Sequence, residues 1–185
     1  VKSILVLLAH PALENSRVNR AWLDAIRDLP AVTVHDLYEE YPEFDVNVRR
    51  EQELLEAHDI VVLQHPFYWY STPALVKQWF DLVLEHGWAY GSEGNALQGK
   101  AFLSAITTGA KPEAYTPEGF HGITFPELLA PIKHTARLCK MKYLEPFVGF
   151  GALAASETEV GAKAQQYADY LTKLSLDGSM NEENS

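Results

Sequence analysis

Short apolar runs alternate with amphipathic segments five times along this chain, and that rhythm constrains its fold more than any other feature. Strand-like segments cover residues 2–9, 32–36, 60–65, 101–107 and 143–150. Helical segments cover residues 16–29, 48–57, 73–85 and 125–138; a last one, 157–174, sets Val160, Ala164, Tyr167, Leu171 and Leu174 on one face. From Ile4 to Ala9 every residue is apolar, which suits a strand covered on both sides. Right-handed helical crossovers between short parallel strands produce a doubly wound sheet, and five strands favour the order 2-1-3-4-5. The expectation is therefore an α/β chain: a five-stranded parallel sheet in that order with helices on both faces. Residues 1–176 would form one domain, and residues 177–185, DGSMNEENS, a flexible solvated tail.

Such sheets bind ligands at the carboxyl ends of their strands, beside the point where strand order reverses. The loops expected there are unusual: HPALENS after strand one, HPFYWYSTP after strand three and TTGAKPEAYTPEGFH after strand four. Each is longer, or richer in Gly, Pro and aromatics, than a connector requires.

After strand one, Asn15 and Ser16 are N-cap types, and Val18, Trp22, Ile26 and Leu29 come next at helical spacing. The helix then points its N-terminus back at His10. Free N–H donors and a partial positive charge at that end, with His10, Ser16 and Asn19 converging on it, suit a phosphate monoester. An ordinary capped turn would use the same residues. Phe67, Tyr68, Trp69 and Tyr70 stand between Pro66 and Pro73. Neighbouring side chains diverge, so some of the four must line a surface or pocket, where a planar ligand would use them; the alternative is a hydrophobic staple under the next helix. At Thr107, Thr108, Gly109 and Ala110 the backbone can turn sharply and offer N–H groups outward, as an ordinary glycine turn also would.

Taken together, His10 with Ser16 and Asn19, HPFYWYSTPALVKQWFD, GWAYG, the TTG turn, Tyr115 and His121 resemble the flavodoxin-fold NAD(P)H:quinone oxidoreductases. Within them the chain is similar to the cytoplasmic ancillary flavoproteins of the Kef glutathione-gated potassium efflux systems. The resemblance runs from Leu5 to about Pro146. It implies a flavodoxin-like fold and a flavin, FMN with FAD as the alternative, whose phosphate is bound by His10, Ser16, Arg17, Val18 and Asn19. Pro66, Phe67, Tyr68, Trp69 and Tyr70, with Thr107, Thr108, Gly109 and Ala110, would embrace the ring system. Tyr115 and His121 would assist hydride transfer from NAD(P)H to a quinone-type acceptor, donor and acceptor taking turns. Tyr90 falls where a partner subunit lends an aromatic, implying a homodimer, and a Kef-type transporter is an implied partner. Lys111 departs from a second glycine in the family pattern.

Hydride transfer needs a flavin open on one face, with donors near the ring to stabilise the charge that develops; a histidine and a tyrosine are chemically suited to that role. A solvent-exposed histidine is the other reading of His121. A flavin-loaded regulatory module that docks on a transporter would need the same pocket.

Composition narrows the partners. Fifteen basic against 25 acidic residues give a net charge of −10, which argues against nucleic acid or an anionic membrane while leaving room for one small anion. Cys139 is the single cysteine, so no internal disulfide forms and the cytoplasm is the expected compartment. The seven histidines include no HxxxH or CxxC-type ligand spacing, so no metal is expected.

Overall fold

The structure is a computed structural model that describes residues 1–177. The tail expected over 177–185 lies, apart from Asp177, outside the described residues. The order of elements is β1 (Ile4–Leu8), α1 (Arg17–Ile26), β2 (Val32–Asp36), α2 (Leu37–Glu40), α3 (Val48–Ala57), β3 (Ile60–Pro66), α4 (Ala74–Val83) and β4 (Ala101–Thr107). It continues with α5 (Phe125–Leu128), α6 (Ala130–Leu138), β5 (Lys142–Tyr143), β6 (Phe147–Gly149) and α7 (Glu157–Leu176). All strand pairings are parallel, in the order β2-β1-β3-β4-β5, with β6 also on β4. The architecture is the one that the alternating pattern predicts.

Period-two alternation divides the buried strands between two layers. Leu5, Leu7, Val61, Leu63, Phe102 and Ile106 pack with Leu55, Trp79 and Ile132 of α3, α4 and α6. Their neighbours Ile4, Val6, Ile60, Val62, Leu103 and Ala105 pack with Trp22 and Ile26 of α1 and with Tyr167 and Leu171 of α7. β1, β3 and β4 are buried at every position because helices cover both faces.

Two expected elements are broken, each at a proline. The helix expected over 125–138 is two helices, because Pro131 has no N–H to bond the carbonyl of Glu127; Leu129 N–H instead reaches the carbonyls of Phe125 and Pro126, each at 3.2 Å. The strand expected over 143–150 is β5 and β6, separated by Leu144, Glu145 and Pro146. Phe102 pairs with Tyr143 and Ala105 with Phe147, so two residues of β4 face three of the edge strand. This one-residue bulge reverses the facing of the residues beyond it. Tyr143 lies in the α6 layer, whereas Phe147, four residues on, packs on Trp22 and Tyr167 in the α7 layer. α1 also stops at Ile26, short of the expected Leu29, and Leu29 itself, as the residue before Pro30, is disfavoured in helical backbone.

Candidate functional site

Four loops leave the carboxyl ends of the strands and enclose a cavity of about 560 Å³, within the rough range of 300–1,000 Å³ of small-molecule sites. The first wall is the N-terminus of α1. Ser16 is its N-cap, and its Oγ accepts from Asn19 N–H at 3.2 Å. The N–H groups of Arg17 and Val18, which line the cavity, have no acceptor within a helix. No acidic residue occupies this first turn, whereas α7 begins with Ser156 capped reciprocally by Glu159 and with Glu157 beside it. A helix end lacking its own carboxylate and facing a cavity is matched to an anion from outside.

His10 complements that end. Its Nδ1 accepts from Ala12 N–H at 3.1 Å, which places the proton of the neutral ring on Nε2. Burial lowers its pKa, partly offset by Glu14, so at neutral pH the ring is an uncharged donor. Asn19 lines the cavity and also has a structural role. It is buried, donating from Nδ2 to Thr107 Oγ1 at 2.8 Å and accepting from Gln64 Nε2 at its carbonyl, 3.2 Å. It ties α1 to β3 and β4 and so fixes the distance between the first and third loops. Arg17 turns outward along the rim, donating to the Ala155 carbonyl at 2.6 Å and pairing with Glu157 at 2.9 Å.

The second wall is Pro66, Phe67 and Tyr68. Its backbone is already committed: His65 Nδ1 bonds the Pro66 carbonyl at 2.8 Å, and Phe67 N–H donates to the Thr107 carbonyl at 2.8 Å. His65 is wholly buried, and desolvation pushes its pKa down to about 4, so it stays neutral. This wall therefore presents rings rather than polar groups. Next to it, at the end of the neighbouring strand β4, stand Thr107, Thr108 and Gly109. A Cβ on Gly109 would lie 2.9 Å from Leu153 Cδ1, so a side chain there would displace the exposed Leu153 side chain.

Trp69, Tyr70, Ala110, Tyr115 and His121 do not line this cavity. Trp69 is 93% exposed, and Ala110 is tied to the fourth loop through Gly151 N–H, 2.9 Å from its carbonyl. Tyr115 and His121 do meet, stacked with centroids 4.6 Å apart and planes at 23°. Tyr70 joins them, its hydroxyl 3.2 Å from His121 Nδ1, and Phe67 connects the group to the cavity wall with its ring 6.3 Å from Tyr115. His121 is thus packed against rings rather than free in solvent. Tyr90 lies elsewhere, in a groove with Ser71, Thr72, Leu138 and Cys139.

The fourth loop, through Ala152 and Leu153, is the part of the site that sequence reasoning missed. Its residues carry no reactive group. The signal was the glycine pair Gly149 and Gly151 after the last strand: a Cβ on Gly149 would meet Trp22 Cζ2 at 2.7 Å, and Gly151 has φ +70°. Only glycine lets this loop seat on the α1 indole beside the helix N-terminus.

A switch-point cavity with an acid-free helix N-terminus at one end and an aromatic wall at the other defines a nucleotide-type binding domain of the doubly wound class. The chain belongs to the flavodoxin-like fold family, whose model matches residues 2–174. It is 46% identical to the uncharacterized NAD(P)H oxidoreductase YrkL of Bacillus subtilis (strain 168), over 90% of this chain and 96% of that protein. It is 43% identical to the glutathione-regulated potassium-efflux system ancillary protein KefG of Pectobacterium carotovorum, over 91% and 92%. Among solved structures, general stress protein 14 of Treponema denticola in complex with FMN matches with a TM-score of 0.89 and 40% identity, over 93% of this chain and 99% of that one. An NADPH-quinone reductase from P. pentosaceus matches with a TM-score of 0.83 and 33% identity, over 91% and 96%.

Proposed function

We propose that this protein is an FMN-dependent NAD(P)H:quinone oxidoreductase. The observation that carries the reading is the single cavity shared by the acid-free N-terminus of α1 and the apolar wall of Pro66, Phe67 and Tyr68. The residues present fit the cofactor. Ser16 Oγ, the Arg17 and Val18 N–H groups and His10 Nε2–H would bind the phosphate. The rings of Phe67 and Tyr68, with the Thr107, Thr108 and Gly109 backbone, would hold the ring system and exclude water. Bound FMN would supply two-electron hydride chemistry between donor and acceptor. One cavity mouth would serve both, so NAD(P)H and the quinone would enter in turn, a ping-pong exchange. Tyr115 and His121, stacked together and joined to the cavity wall through Phe67, would donate hydrogen bonds or a proton to the acceptor oxygen. The relatives support the cofactor and the reaction class, one having been solved with FMN and others being named oxidoreductases or a quinone reductase.

FAD has one observation in its favour. A second cavity of about 390 Å³, with Lys111 and Lys163 in its walls, adjoins the phosphate end and shares Val18 and Ala152 with the first. Mass spectrometry of the released cofactor decides between the two. Tyr90 would complete the site of a second copy in a homodimer, a reading consistent with its place outside its own chain's cavity. A monomer by light scattering at micromolar concentration would remove that assignment.

The KefG relative supports a second role as an ancillary subunit docking on a potassium efflux transporter. Among the described residues no helix is long and apolar enough to cross a membrane, so attachment would be through such a partner. NAD(P)H-dependent reduction of a simple quinone by the flavin-loaded protein tests the enzyme reading. Background turnover at full flavin occupancy would overturn it and leave the docking role.

A further inference from the structure

The loop after β3 holds two residues in a backbone conformation that its sequence does not favour. Tyr68 and Ser71 close a tight turn with two reciprocal backbone hydrogen bonds, Tyr68 N–H to the Ser71 carbonyl at 3.0 Å and Ser71 N–H to the Tyr68 carbonyl at 2.9 Å. The central residues Trp69 and Tyr70 have φ of +49° and +62°. Asn-Gly is the usual occupant of such a turn, and two aromatics in left-handed backbone are strained. One consequence of the turn is directional: Trp69 projects into solvent, while Tyr70 lies edge-on to His121, with centroids 5.4 Å apart and planes at 83°.

His121 is held by rings on its other sides. Tyr115 stacks on it, and Phe120 meets it edge-on at 5.2 Å. The polar contact to the imidazole is the Tyr70 hydroxyl, 3.2 Å from Nδ1, whereas Nε2 is buried without a partner among the described residues. An imidazole nitrogen is a better acceptor than a phenol oxygen, so the hydroxyl donates to Nδ1 and the proton of the neutral ring resides on Nε2.

We propose that Tyr70 is a positioning residue for His121: its hydroxyl fixes the tautomer through Nδ1 and leaves Nε2–H, which has no partner among the described residues, as the donor the electron acceptor would engage. The proposal deepens, and rests on, the reading that His121 assists hydride transfer. It also gives the strained turn a function, since a relaxed loop would not carry the Tyr70 hydroxyl to the imidazole. Tyr70 would act through His121 and need not touch the acceptor.

The test compares Tyr70→Phe, His121→Gln and the double variant, all loaded with FMN. Tyr70→Phe keeps the ring and the turn. Nitrogen-15 NMR of the histidine side chains, with His121 assigned from its loss in His121→Gln, should show the Nε2–H tautomer in the wild type. In Tyr70→Phe a substantial Nδ1–H population should appear. With a simple quinone as acceptor, kcat in Tyr70→Phe should fall about tenfold, the scale of one hydrogen bond, with KM within about twofold. The double variant should be no slower than His121→Gln alone. A wild-type tautomer and kcat in Tyr70→Phe, or losses that multiply in the double variant, would overturn the proposal. If His121→Gln reduces the quinone at the wild-type rate while Tyr70→Phe still shifts the tautomer, the catalytic reading of His121 fails, and the positioning role falls with it.

Discussion

Replacing Trp79 by phenylalanine should destabilise the protein in a pH-dependent way through a carboxylate it shields from solvent. Glu51 on α3 is 1% exposed. Its Oε1 accepts from His35 Nε2 at 2.8 Å and from the Tyr41 hydroxyl, and its Oε2 accepts from Trp79 Nε1 at 2.9 Å. Burial alone would raise its pKa, but the hydrogen bonds from His35, Tyr41 and Trp79 outweigh it and the net shift is downward. Phenylalanine removes the indole donor to Oε2, and a lost hydrogen bond to a buried charge costs about 1.5–3 kcal/mol. Trimming the indole to a phenyl ring adds about 1 kcal/mol of lost packing. The total, about 2.5–4 kcal/mol, corresponds to roughly 5–15 °C in Tm for a domain of this size. A carboxylate with a depressed folded-state pKa contributes stability that is present above its unfolded pKa and lost as pH falls through the folded one. Losing the Trp79 donor raises the folded pKa, so the difference between wild type and variant should be largest near neutrality and shrink as pH falls below the ordinary carboxylate range. Urea unfolding at about pH 7 and below that range, at about pH 3, measures both values. An equal difference at the two pH values, or one under about 1 kcal/mol at neutrality, would refute the assignment of Glu51 as a buried, ionised acceptor.

Ser16→Ala should cost about 1 kcal/mol through loss of the α1 cap, read by thermal melting, and weaken FMN binding at least tenfold through loss of a phosphate contact. Gly149→Ala should destabilise by about 1–3 kcal/mol, because its methyl would lie 2.7 Å from Trp22 Cζ2; a melt unchanged within about 2 °C would contradict this. Tyr115→Phe combined with His121→Gln should lower quinone reduction about 100-fold with flavin still bound, and loss of flavin instead would move both residues into cofactor binding.

Much of the fold was legible because burial on two faces leaves a direct mark: β1 is an unbroken apolar run, β3 and β4 are mostly apolar, and amphipathic helices between them imply parallel pairing. The register of the last strand was not legible. Pro146 marks an interruption, but only the pairing with β4 reveals the extra residue that turns Phe147 toward α7. At the site, caps and aromatics identified three of the four loops. Asn19 illustrates the limit: its place in the cavity wall was legible, but its bonds to Thr107 and Gln64, distant in sequence, were not. The conformation of Trp69 and Tyr70 was hidden for a similar reason: left-handed backbone at an aromatic runs against local preference and is imposed by the surrounding fold. The fourth loop escaped because Ala152 and Leu153 contribute shape rather than chemistry.

Titration of cofactor-free protein with FMN and with riboflavin, which differ only in the phosphate, tests most directly whether the N-terminus of α1 and His10 form the phosphate end of a flavin site. FMN should bind at least 100-fold more tightly, the scale of two or more charge-assisted hydrogen bonds, with the advantage reduced in Ser16→Ala. Equal affinity for the two flavins, or no binding of either, would contradict it.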